Sequence, residues 1–390
     1  MVLNSRDVVV VGAGKIGATV AELLAGRGGH RVTLADRDAA RLAALDTGVP
    51  IAKAAIDVES APGTLAGLAR GKFAIVSAAP YHLTARVADA ARDAGVHYLD
   101  LTEDVASTRH VKQLAELGAS AFVPQCGLAP GFVSIVANDL ARRFDTLDSI
   151  RLRVGALPRF PSNALNYNLT WSTDGVINEY CEPCEAIVGG VRREVPALEE
   201  REEFALDGVT YEAFNTSGGL GTLCETYLGR VRELNYRTIR YPGHAAIMKT
   251  LLHDLRLRDR RHVLKDILEH ALPATLQDVV IIVVTVSGLR AGRYVQETYA
   301  NKIYGSDLNG RTHSAIQVTT AAGICAILDL LSEGVLPSRG FVRQEDVPLD
   351  LFLRNRFGQI YAATPGNLSR PPHHPAAPKA RESRGMATAG

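Results

Sequence analysis

The stretch Val8-Val9-Val10-Val11-Gly12-Ala13-Gly14-Lys15-Ile16-Gly17 decides the fold of the first part of this chain. Four consecutive valines suit a buried strand, and three glycines at GxGxxG spacing suit a tight turn into a helix. Gly12 lets the chain turn, Gly14 lets phosphates approach the backbone, and Gly17 lets the helix lie close on the strand. The alanine-rich run Ala18 to Ala25 continues the helix, and His30 to Ala35 reads as a second strand ending at Asp36. A helix N-terminus offers unpaired N–H groups and a partial positive charge to an anion. This context predicts a dinucleotide site built on Gly12, Ala13, Gly14, Lys15, Ile16 and Gly17. Asp36 suits the adenosine ribose hydroxyls and repels a 2′-phosphate, which favours NAD as cofactor. Arg37 blurs that preference, because a guanidinium there can hold a phosphate or lie over the adenine.

Further along, strands and helices alternate to about Gln125. Ile51 to Ile56 (followed by Asp57), Phe73 to Ser77, His97 to Leu101 and Ala121 to Pro124 read as strands, and Leu83 to Ala94 has helical spacing. The pattern predicts an α/β fold with a Rossmann-type doubly wound parallel sheet, whose ligands sit beyond the carboxyl ends of the strands. Asp57 then flanks the adenine. Ser77, Ala78, Ala79 and Leu101 flank the nicotinamide, and Tyr81, His82, Asp100 and Glu103 lie towards the substrate.

From about Gly131 the pattern changes to longer strand-like runs: Ser149 to Leu157, Glu203 to Tyr211, Arg230 to Tyr241 and Asp278 to Gly288. With helices at Ser134 to Arg143 and Ala246 to Arg256, they predict a second α+β domain with a mostly antiparallel or mixed sheet. The expected division is 1–128 for the dinucleotide domain and 129–310 for a substrate and oligomerisation domain. Segment 311–362, with the apolar helix Ser314 to Ser332, packs back onto the first. Residues 363–390 are rich in Pro, Ala and Arg without periodicity and read as a disordered tail, with His373-His374 as solvated side chains.

Bulk properties narrow the classes. A net charge of +1 gives no reason to expect nucleic acid or a membrane surface as partner. The most apolar run, Val279 to Val286, is far too short to span a bilayer. No signal peptide precedes the first strand, and the five scattered cysteines suit reduced thiols, so a cytoplasmic setting is expected. Cys181-Glu182-Pro183-Cys184 has CxxC spacing, but no second pair completes a zinc site, and no metal is expected. A hydrolase triad is disfavoured because no GxSxG elbow occurs.

Three segments combine glycine with polar groups beyond what packing requires: Asn166 to Ser172, Asn215 to Gly219 and Arg240 to His244. Arg240 suits a bidentate grip on a carboxylate. His244, with an ordinary pKa of about 6.5, suits a proton carrier. Trp171 with Tyr167 suits the wall of an aliphatic pocket, and Thr216 lies in the glycine segment beside it.

Pro124-Gln125-Cys126-Gly127-Leu128-Ala129-Pro130-Gly131 resembles the domain-crossing motif of the saccharopine dehydrogenase-like family. Asn168-Leu169-Thr170-Trp171-Ser172-Thr173-Asp174-Gly175 resembles that family's substrate-domain signature. Tyr211 to Gly219 and Thr238 to His244 are similar to its lysine 6-dehydrogenase branch, and the similarity runs to about Tyr361. The resemblance implies NAD-dependent oxidative deamination of the L-lysine side chain to 2-aminoadipate 6-semialdehyde, which cyclises, and it implies a homo-oligomer. A base must take a proton from the ε-ammonium, whose pKa is about 10.4, before hydride leaves. Asp100, Glu103 and His244 are the candidates. Arg240 would anchor the α-carboxylate, with Tyr81, His82, Tyr167, Trp171 and Thr216 around the rest of the substrate. A saccharopine dehydrogenase is the nearest rival and needs further cations for three carboxylates; sequence alone does not place Arg153, Arg159 or Lys302. A silent NAD-binding regulator is the more distant one.

Overall fold

A computed structural model describes residues 5–27 and 29–362; the expected tail with His373-His374 lies outside the described residues. The chain opens as β1 (Asp7–Val11), α1 (Lys15–Gly26), β2 (Arg31–Asp36), α2 (Ala39–Ala44), β3 (Ala52–Ala55) and α3 (Pro62–Ala69). It continues as β4 (Ala74–Ser77), α4 (Thr84–Ala94), β5 (His97–Asp100), α5 (Val105–Leu117) and β6 (Ala121–Val123). These strands form a parallel sheet in the order β3-β2-β1-β4-β5-β6. The order reverses between β1 and β4, so a crevice opens beyond their carboxyl ends. The four valines of β1 are buried, as a central strand covered on both faces requires.

The second half begins with α6 (Phe132–Ala141), β7 (Thr146–Pro158), α7 (Thr173–Cys181), β8 (Cys184–Val188) and β9 (Val191–Val195). Then come β10 (Glu202–Leu206), β11 (Val209–Asn215), α8 (Leu223–Tyr227), β12 (Glu233–Arg240), α9 (His244–Lys249) and α10 (Arg261–Ala271). β13 (Asp278–Arg290) and β14 (Arg293–Tyr304) complete a mixed 8-stranded sheet, ordered β10-β11-β12-β7-β13-β14 with β8 and β9 beside β12. β7 and β12 run parallel and the other neighbours antiparallel.

The run Glu203 to Tyr211, read from sequence as one strand, is instead a hairpin. Asp207 and Gly208 both take positive φ (52° and 75°), the mirror-image turn that suits a two-residue connection. Cys181 ends α7 and Cys184 starts β8, both with buried free thiols. Among the described residues no group of three or more His, Cys, Asp or Glu could hold a metal ion.

The last elements return to the first sheet. After the small hairpin β15 (Ser306–Leu308) and β16 (Arg311–His313) comes α11 (Ala315–Ser332), then β17 (Gly340–Phe341) and α12 (Leu349–Arg354). β17 pairs in parallel with β6 and makes the first sheet 7-stranded, an addition too short for any periodic signal. α11 is capped by Ser314 and Gln317, and Asp278 accepts hydrogen bonds from the N–H groups of Ala315 and Ile316 at 2.5 and 3.0 Å. That carboxylate sits where the helix dipole favours a negative charge. By length and composition α11 could cross a membrane, but 83% of it is buried in the protein, and it packs along α1. Its Gly323 lies against the carbonyl of Cys126, at the crossing between the two sheets.

A methyl group at Gly323 would stand 2.6 Å from that carbonyl oxygen, which is backbone and does not yield easily. Gly323→Ala is expected to cost about 1–3 kcal/mol in thermal or denaturant unfolding. Gly67→Ala, in the exposed middle of α3 with nothing within 4 Å, is expected to stabilise by about 0.5–1 kcal/mol. Equal effects of the two substitutions would refute this packing.

Candidate functional site

The glycine turn between β1 and α1 meets the requirements of a pyrophosphate cradle. Gly12 has φ 102°, and a Cβ there would lie 2.7 Å from the Ala78 carbonyl oxygen. A Cβ on Gly17 would collide with the Gly12 carbonyl, so the helix can start this close only with glycine. Gly14 is the opposite: nothing lies within 4 Å of an added Cβ, so the space above it is open. The N-terminus of α1 has no side-chain cap and no acidic residue in its first turn, which leaves its N–H groups for an anion. Gly14 and Lys15 are exposed, Ile16 half-buried, and Ala13 buried.

Asp36 ties this turn to β2. Its carboxylate accepts hydrogen bonds from the N–H of Ala13 at 2.6 Å and of Asp38 at 2.9 Å. Arg37 points to solvent and pairs with Glu59 at 3.7 Å. Asp57 accepts from the N–H of Glu59, which with Ser60 holds its carboxyl below the usual range. Buried Ser77 and half-buried Ala78 and Ala79 close the end of β4, and half-buried Leu101 follows β5. The residues fit a dinucleotide. Beside the turn a cavity of about 390 Å³ opens between α1, α2 and the β15–β16 hairpin, with Glu22 paired to Arg311 and His313 in its wall.

Across the crevice the second sheet brings a buried polar cluster to the same place. Arg240, at the end of β12, is 2% exposed. Its Nε donates to Tyr180 Oη at 2.9 Å, and its Nη1 donates to Thr238 Oγ1 and the Ile239 carbonyl. Its guanidinium also lies over the Tyr167 ring, 5.3 Å from the centroid. Nη2 has no protein partner among the described residues.

His244 is bonded at both ring nitrogens. Nδ1 lies 3.0 Å from the Leu165 carbonyl, which can only accept, so Nδ1 carries the hydrogen. Nε2 therefore accepts from the Tyr180 hydroxyl, at 3.0 Å. Burial, reinforced by the charge of Arg240, lowers the imidazole to about 3. His244 is neutral at physiological pH, and in this geometry it orients Tyr180 and Arg240.

Asp100 is also buried. Its Oδ1 accepts from the N–H of Thr102 at 3.0 Å and of Gln125 at 2.9 Å, while Oδ2 has no partner among the described residues. Burial raises its carboxyl to about 6, against the pull of those amides. Glu103 lies three residues beyond the end of the strand, between Thr102 and Asp104, the N-cap of α5. A Cβ on Gly218 would come within 2.9 Å of Glu103 Cβ, so the Asn215–Gly219 loop packs directly on it. Burial, then the charge of Asp104, raises Glu103 to about 7.

The other sequence candidates are dispersed. Tyr81 and His82 are exposed on the turn after β4. Trp171 is half-buried, with its ring flat against Gly175 in the first turn of α7. Tyr167 and Thr216 are buried, and their hydroxyls, like that of Thr170, have no partner among the described residues. Arg153 pairs with Glu202, Lys302 pairs with Asp207 at 2.9 Å, and Arg159 stacks over Phe160 and Tyr304. None of these three cations contacts the Arg240 cluster.

Sequence reasoning missed Glu179 and Tyr180, on α7. Glu179 is 8% exposed, and its backbone carbonyl accepts from Ser217 N–H at 3.1 Å. Burial, then the charge of Glu103, pushes its carboxyl well above the usual range, with Arg240 opposing. A signal was present: Glu179 stands three residues after Val176 and two after Ile177, an acid on the apolar face of its helix.

Known proteins match this arrangement along most of its length. Residues 8–121 match the saccharopine dehydrogenase NADP binding domain, and residues 127–355 match the saccharopine dehydrogenase C-terminal domain. Among solved structures, the saccharopine dehydrogenase (L-Glu forming) of Saccharomyces cerevisiae superimposes with a TM-score of 0.72 at 15% identity. That match covers 87% of this chain and 94% of the yeast one. The homospermidine synthase of Legionella pneumophila, in complex with NAD, gives a TM-score of 0.64 at 12% identity over 93% and 90% of the two chains. These likenesses show a shared fold. The two family matches meet at the crossing near Gln125, and the chain belongs to the saccharopine dehydrogenase family of oxidoreductases, with an NAD(P)-binding domain in its first half.

Proposed function

We propose that this protein oxidatively deaminates the side-chain amine of L-lysine with NAD, giving 2-aminoadipate 6-semialdehyde and ammonia. The observation that carries this reading is an Arg240 edge without a protein partner among the described residues, beside a buried acid, Glu179, that feels the charges of both Glu103 and Arg240. A carboxylate anchor and an amine-directed acid across one cleft suit an aliphatic amino acid with a terminal amine. Gly12, Gly14, Gly17 and Asp36 would hold the cofactor, which when bound supplies the acceptor for the hydride. Asp36, with a carboxylate and no basic partner, supports NAD over NADP.

Each residue then has a task. Arg240 Nη2 donates to the substrate α-carboxylate, and the Tyr180–His244 chain fixes the guanidinium plane for it. Glu103 takes a proton from the ε-ammonium and later returns it to the departing ammonia. A group near 7 suits both directions of that transfer, whereas His244 is too weakly basic. The Tyr167 ring beneath Arg240 covers the carboxylate end, while the ε-carbon end beside Glu103 must admit the water whose oxygen becomes the aldehyde as ammonia leaves. A saccharopine substrate is disfavoured, because its extra carboxylates would meet acids rather than Arg153, Arg159 or Lys302.

Purified protein with L-lysine and NAD should form NADH and ammonia in equal amounts; turnover of saccharopine but not of lysine would overturn the proposal. A base must be deprotonated to act, so kcat/KM should fall as pH drops through about 7, the Glu103 value. Glu103→Gln should lower kcat about 100-fold or more and abolish that limb. His244→Asn should leave the limb in place, and a limb that moves with His244 would reassign the base. Asp36→Ala should raise the NAD Kd about ten-fold or more and move preference towards NADP, read by fluorescence titration of the reduced cofactors.

A further inference from the structure

Glu179 has no task in the reaction just described, yet it is a buried acid, 8% exposed, on the helix that also carries Tyr180. Its carboxylate has no hydrogen-bond partner among the described residues, and Arg240 sends its bonds to Tyr180, Thr238 and the Ile239 carbonyl instead. The two groups feel each other's charge without pairing. The same half of the molecule holds three buried hydroxyls with no partner among the described residues, those of Tyr167, under the Arg240 guanidinium, Thr170 and Thr216. Buried polar atoms left this way carry a desolvation cost that a polar ligand would remove.

We propose that Glu179 is a specificity-determining residue that binds the α-ammonium of the substrate, so that Glu179 and Arg240 together clamp the zwitterionic head of an α-amino acid. This rests on the reading of the site given above and extends it to the substrate class. The charges agree once the site is filled. With Glu103 and Glu179 both ionised against one arginine the site carries one negative unit, which a diamino monocarboxylic acid, one unit positive, matches; without that cation the raised carboxyls keep a proton. A simple amino acid or ω-amino acid is neutral and leaves an acid uncompensated. A dicarboxylic secondary amine adds negative charge to two acids already in each other's field, which is unfavourable at low dielectric.

The groups whose charge acts on Glu179, or on which its charge acts, come from several elements. They are Glu103 from the loop after β5, Arg240 and Tyr236 from β12, Tyr180 from its own helix, Tyr167 from the segment before it, and Cys184 at the start of β8. Arg240 is the one cation among them, so the second amine of the ligand supplies the missing positive charge.

The test compares L-lysine with 6-aminohexanoate, which keeps the carboxylate and terminal amine but lacks the α-ammonium. Binding is measured by calorimetry on the NADH-loaded protein, and turnover is measured separately. The wild type should prefer lysine strongly. In Glu179→Gln, lysine affinity should fall about 30-fold or more while 6-aminohexanoate changes less than about three-fold. Glu179→Asp should restore part of the preference, and an unchanged melting temperature shows that the fold persists. Equal weakening of both ligands, or no preference in the wild type, overturns the clamp. Selective binding that depends on Glu179 without NADH formation supports the clamp and removes the deamination reading instead.

Discussion

One buried carboxylate, Asp100, fixes how the two halves of the molecule leave each other. Its side chain accepts hydrogen bonds from Thr102 and Gln125, and its own carbonyl accepts from Cys126 N–H at 2.8 Å. The loop that bears Glu103 and the crossing to the second sheet therefore start from one anchored point. Gln125, held at φ 65°, sends its side chain to Thr108 and lies against Gly221 of the second half. Gly127 and Gly131 fold tightly on each other, and α11 presses on the same crossing through Gly323. Side chains at any of these glycines would push the halves apart and with them the groups that face the crevice.

The chemistry of the cluster follows from burial acting differently on acids and bases. Enclosure disfavours every charged form, so it raises Glu103 and Glu179 and lowers His244. Arg240 keeps its charge because a guanidinium is hard to deprotonate, and its neighbours are arranged around that fixed cation. Tyr180 accepts from Arg240 and donates to His244, so a chain of neutral groups spreads the field without adding another charge. The outcome is a polar interior with one permanent cation and acids whose charge depends on what lies between them.

The first sheet was legible because each of its cues is local. Val8 to Gly17 carries the strand and turn chemistry in ten consecutive residues, and Asp36 closes the unit. The second sheet was less so. Asp207-Gly208 is a hairpin signal lying inside a run that otherwise reads as one strand, and the missed β17 is two residues long. At the site, Arg240 and Tyr167 were visible from residue type beside glycine. The state of His244 was not, since it depends on Leu165 and Tyr180, far away in sequence. Glu179 escaped notice because a helix conceals its acid until the opposite loop is folded over it.

The placement of α11 and β17 has a consequence for biogenesis. The flank of α1 packs against α11 and the edge of β6 against β17, and those residues are made after the whole second sheet. A nascent chain that has just released its dinucleotide-binding half from the ribosome therefore carries a bare apolar flank and an open sheet edge. It must keep both from other chains until α11 and β17 have been translated. Folding of this half is thus tied to synthesis of the segment that follows the second sheet, and a ribosome stalled in between would leave a product prone to chaperone capture.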